Sequence, residues 1–70
     1  MGDDHLRVGS HVKWKSSQGW VTGKIVERKT SDFDVKGTHL TASEDEPKFL
    51  VESDETGERA GHEPSALHRV

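Results

Sequence analysis

Cysteine and tyrosine are both missing from this sequence, and its apolar residues never gather into a long run. Without cysteine, no disulfide can staple the fold and no thiolate can serve as nucleophile or soft metal ligand. A reducing, cytoplasmic setting is therefore the expectation. A membrane helix needs about 18 or more consecutive apolar residues, and nothing here approaches that. The first residues, Met1-Gly2-Asp3-Asp4-His5, have neither the basic stretch nor the apolar stretch of a signal peptide. Leu6 stands where a myristoylation motif would need Ser or Thr. Just as informative, no segment sustains a 3.6-residue apolar period, so little or no α-helix is expected. No glycine-rich phosphate loop precedes a helix, and no Gly-x-Ser-x-Gly elbow is present to activate a serine.

What the chain does have is enough apolar material for one small core. Seventy residues make a single domain. The stock is Val8, Val12, Trp14, Trp20, Val21, Ile25, Val26, Phe33, Val35, Leu40, Phe49, Leu50, Val51, Leu67 and Val70. A chain this short buries only about 60% of its unfolded surface. Little remains to wall a deep substrate cleft as well, since ligand clefts need an apolar lining of their own. That balance points to a binding surface and away from catalysis. Charge is unevenly spread. Residues 1–36 hold seven Lys/Arg against five acids, a balance of +2, and residues 37–70 hold three against eight, a balance of −5.

Period-2 alternation marks the strands. Val8, Val12 and Trp14 share one parity, with His11, Lys13 and Lys15 on the other, and Ser16-Ser17-Gln18-Gly19 forms a turn. Trp20 to Lys29 alternates again, and Gly23 inside it predicts a bulge or a bend where another strand comes close. Phe33-Asp34-Val35, a Lys36-Gly37 turn and Thr38 to Ala42 read as a β-ribbon inserted around residues 32–43. Lys48 to Ser53, the turn Asp54-Glu55-Thr56-Gly57 and Glu58 to His62 form a hairpin. Pro64 to Leu67 suits one 3₁₀ turn, and His68-Arg69-Val70 a last short strand. The expected fold is all-β: a small five-stranded SH3-like barrel over residues 6–70, with the inserted ribbon and a flexible segment at 1–5.

Residues carry the comparison further than topology. Val8-Gly9-Ser10-His11-Val12-Lys13-Trp14, Gly23-Lys24-Ile25-Val26, Phe49-Leu50-Val51-Glu52-Ser53-Asp54, and Gly57 with Arg59-Ala60-Gly61-His62-Glu63-Pro64-Ser65-Ala66-Leu67 are the segments concerned. Together they resemble a bacterial family of small proteins, the hypervirulence-associated protein Tudor-domain family. The resemblance spans about residues 6 to 70, and His62-x-Pro64-Ser65-Ala66-Leu67 is its most specific part. It implies a Tudor-like, SH3-like barrel and no particular ligand or reaction.

A Tudor-like fold raises the question of an aromatic cage, in which three or four ring faces surround a methylated cation. Trp14 and Phe49 share strands with inward-pointing valines and read as core, which leaves Trp20 and Phe33 as surface rings. The candidate binding residues are therefore Trp20 and Phe33 with Lys13, Lys15 and Lys24, a ring-and-cation face on the first two strands. Lysines alternating along a strand also simply keep its outer face soluble. A protein partner is the first expectation, and nucleic acid bound through the Trp/Lys face the second. Net charge of −3 argues against a nucleic-acid module, which is commonly strongly basic. His5, His11, His39, His62 and His68 match no metal-ligand spacing, so neither metal nor cofactor is expected, and His62 is expected to hydrogen-bond locally. No membrane contact is expected, and a monomer is the expected state.

Overall fold

The computed structural model describes residues 6–70, so the flexible segment expected at 1–5 lies outside the described residues. Seven strands follow in order: β1 His11–Ser16, β2 Gly19–Lys29, β3 Phe33–Val35, β4 Thr38–Leu40, β5 Lys48–Ser53, β6 Arg59–His62 and β7 His68–Arg69. One 3₁₀ turn, Pro64–Ala66, precedes β7. No described helix is long and apolar enough to cross a membrane.

Five strands form one antiparallel sheet in the order β6-β5-β2-β1-β7, and β3 pairs only with β4. Among the described residues no ladder joins β6 to β7, so in hydrogen-bonding terms the sheet is open and not the closed ring expected of a barrel. The curl comes from β2. Its first half pairs with β1, from Gly19 opposite Ser16 to Lys24 opposite His11, and its second half with β5, from Gly23 opposite Ser53 to Lys29 opposite Lys48. Gly23 sits at the handover. A Cβ there would fall within the van der Waals shell of the Glu52 carbonyl oxygen and 2.8 Å from Trp14 Cη2. The bulge itself lies three residues on, at Val26, where the β2–β5 register slips between Ile25 and Glu27. Gly23 thus marks the close approach, and the bulge is elsewhere.

Inward-facing residues build the core: Val12 and Trp14 of β1, Ile25 of β2, Phe49 and Val51 of β5, and Leu67 after the 3₁₀ turn. Val8 does not join them. Gly9 adopts a φ of +96° and turns the chain before its amide bonds the Ile25 carbonyl at 2.8 Å, which leaves Val8 57% exposed. Ser53 is the buried polar residue, and its hydroxyl accepts the amides of Glu55 (3.2 Å) and Thr56 (3.4 Å), shaping the β5–β6 turn.

Three consecutive residues of β5, Phe49, Leu50 and Val51, are buried, which an alternating half-exposed strand cannot achieve unaided. The ribbon supplies the second cover. Leu50 stands opposite Gly61 of β6, and Phe33 and Leu40, partners across the ribbon, lie on that glycine. The ribbon tip is a two-residue turn, Lys36-Gly37, with both φ angles positive (54° and 81°), the arrangement that matches strand twist in a hairpin. A Lys36–Glu58 ion pair at 3.1 Å ties this tip to the neighbouring hairpin. A Cβ at Gly61 would sit 2.5 Å from Leu40 Cδ1 and 2.9 Å from Phe33 Cζ, both ends of side chains able to shift. Gly61→Ala is therefore expected to cost about 1–2 kcal/mol and to speed amide exchange in the ribbon before the main sheet. Exchange that quickens evenly across both sheets would contradict this account.

Candidate functional site

The outer face of β1 carries His11, Lys13 and Lys15, because Val12 and Trp14 take the inner face. Register sets their neighbours. Lys15 stands opposite Trp20, Lys13 lies between Thr22 of β2 and His68 of β7, and His11 stands opposite Lys24. Trp20 remains 56% exposed with its ring flanked by cations: Lys13 Nζ is 5.1 Å from the ring centroid and Lys15 Nζ 5.9 Å. His68 approaches the same ring edge-on at 5.6 Å. Among the described residues neither Lys13, Lys15 nor Lys24 takes part in an ion pair.

The structure thus brings together Trp20, Lys13 and Lys15. Lys24 shares their face two residues along β2 from Thr22's rung, where it lies opposite Glu52 of β5. That carboxylate is itself paired with Arg59 Nε at 3.2 Å. Phe33 belongs to a different surface. Its ring fills the space that Gly61 leaves on β6, at the far end of the strand order, with Lys29 Nζ 5.5 Å above it. Trp14 and Phe49 are 6% and 5% exposed, so the four rings do not converge on one surface as a cage requires.

His68 is the member of the group that reading the sequence missed. The signal was available in the topology: a last strand beside β1 places residue 68 across from Lys13. His62 corrects another expectation. Its ring packs on Trp14 at 5.5 Å, tilted by 39°, and among the described residues its side chain has no hydrogen-bond partner. His39 sits on the ribbon with Nδ1 2.9 Å from Asp34 and Nε2 3.4 Å from Asp32, whose other oxygen accepts the Ala42 amide. Among the described residues no three His, Asp or Glu are grouped to hold a metal ion.

The two histidines should respond oppositely to pH. Bonding to Asp34 and then Asp32 raises the His39 pKa above the ordinary 6.5, while burial lowers that of His62 below it. For His62 the unfolded chain takes up its proton first as pH falls, so stability declines from pH 6.5 down to the lowered folded value. For His39 the sign reverses. Its stabilisation is complete below pH 6.5 and is lost as pH rises through the raised folded value. A side-chain NMR titration should find His39 titrating above His62, and the opposite order would refute both environments.

A family model described as hypervirulence associated proteins TUDOR domain matches residues 9–67 of the chain. No curated protein and no solved structure matches it.

Proposed function

Because this chain belongs to the hypervirulence-associated protein Tudor-domain family, we propose that it is a non-catalytic binding module that meets a protein partner through the outer face of β1 and β2. The observation that carries this reading is Trp20, a large ring left 56% exposed between two lysines that have no acidic partner among the described residues. Rings of this kind anchor interfaces, since they bring much apolar area at little conformational cost. The curled sheet supports the SH3-like barrel reading, with β2 bent at its handover and bulge to serve both halves. Its rigid strands present Trp20, Lys13 and Lys15 in fixed register.

The same unpaired lysines beside a ring favour nucleic acid as the second reading, through base stacking and phosphate contacts. Salt separates the two, because phosphate binding weakens steeply as ions are added.

The test compares proteins captured by the immobilised chain with those captured by its Trp20→Ala variant. Trp20 lies outside the core, so the variant should unfold within about 0.5 kcal/mol of the parent while losing its specific partner. A partner retained equally by both forms would place the contact surface elsewhere.

A further inference from the structure

We propose that the Trp20 face takes a short acidic segment of a partner protein, with carboxylates on Lys13 and Lys15 and an apolar side chain against the indole. This rests on the reading of that face as the contact surface and adds the chemistry of what it receives. The first ground is charge. β1 and β2 place Lys13, Lys15 and Lys24 on one face with His11 beside them, and β7 adds His68. Like charges on neighbouring positions repel, and no acid of the described chain pairs with these three lysines. A ligand carboxylate would relieve that repulsion.

The second ground is how the face ends. On the β5 side Glu52 stands across from Lys24, and the Asp54 amide bonds the Thr22 carbonyl at 3.0 Å, which sets another acidic residue beside the patch. A long polyanion tracking across the sheet would run into these carboxylates. A segment with a few acidic residues, lying along β1 and β2, would not. The face therefore suits an acidic peptide better than a nucleic-acid strand, whose binding needs a basic groove that follows the backbone.

The experiment titrates the ¹⁵N-labelled chain with three probes: a peptide of glutamate and serine around one leucine, the same peptide with lysine for glutamate, and oligo-dT. The expected result is a set of shifts at the Lys13, Lys15, Trp20 and His68 amides and the Trp20 indole N–H with the acidic peptide alone. Affinity should fall as salt rises, and by about tenfold in the Lys13→Gln/Lys15→Gln variant, whose amide dispersion should match the parent. Equal shifts with the lysine peptide, shifts away from this face, or none at all would overturn the proposal. Tighter binding of oligo-dT at these amides would also overturn it and make the face a nucleic-acid site. Partner capture lost in Trp20→Ala, together with no response to the acidic peptide, would remove the acidic chemistry and leave the contact face standing. Capture unaffected by Trp20→Ala would remove the face itself.

Discussion

Gly23→Ala is expected to leave the chain unfolded or barely folded. One methyl group is a small change, but here it would collide with the backbone carbonyl of Glu52 and with the Trp14 ring at 2.8 Å. A flexible side-chain end can move aside, whereas Glu52 is held in the β2–β5 ladder opposite Lys24. Relief must come from separating two central strands or displacing Trp14, which is 6% exposed within the core. Overpacking a tight core costs about 1–3 kcal/mol and sometimes more, and a clash with paired backbone belongs at or beyond the top of that range. A domain of this size holds roughly 4–10 kcal/mol in total. Chemical denaturation followed by circular dichroism gives the check. A midpoint close to that of the parent would show that β2 and β5 can part at no cost, and the account of Gly23 would be wrong.

Trp14→Ala has the next largest effect. The ring lies over Gly23 on one side and against His62 on another, so its removal opens a hole between β1, β2 and β6. Truncating a buried Trp to Ala costs about 3–5 kcal/mol. The variant also makes a second, independent prediction. The low His62 pKa arises from burial, so once water reaches that ring its titration should move up toward the ordinary histidine range. A strongly destabilised variant whose His62 still titrates low would mean that something other than the packing around Trp14 keeps the ring dry.

Local chemistry explains which parts of this fold can be read from the sequence. Strand β1, the Asp54–Gly57 turn and the 3₁₀ turn after Glu63 follow from alternation, from a glycine where φ must be positive, and from proline at the start of a tight turn. The close approach at Gly23 is legible for the same reason, since a missing Cβ inside a strand needs a cause. The bulge at Val26 is not, because its extra residue is an ordinary valine with no special backbone signature. Val8 misleads because parity continues through Gly9 on paper while the chain turns there in space. Leu50 and Phe33 depend on each other across the sequence. Only when the ribbon lies on Gly61 does either acquire a cover, and no local pattern encodes that meeting.

The candidate site divides along similar lines. Lys13, Lys15 and Trp20 are close in sequence and joined by one hairpin, so strand parity and a short turn suffice to bring them together. His68 comes from the other end of the chain and Phe33 from an insertion. Their places depend on which strands become neighbours, a property of the assembled sheet.

Two indoles and no phenol have a practical consequence for anyone working with this molecule. Trp14 is enclosed and Trp20 stands in solvent, so the intrinsic emission contains a blue component and a red one with no tyrosine beneath them. A collisional quencher such as acrylamide reaches the second long before the first. The chain therefore carries one lamp for its folding and another for its contact face, and each variant discussed above can be sorted by which of the two it dims.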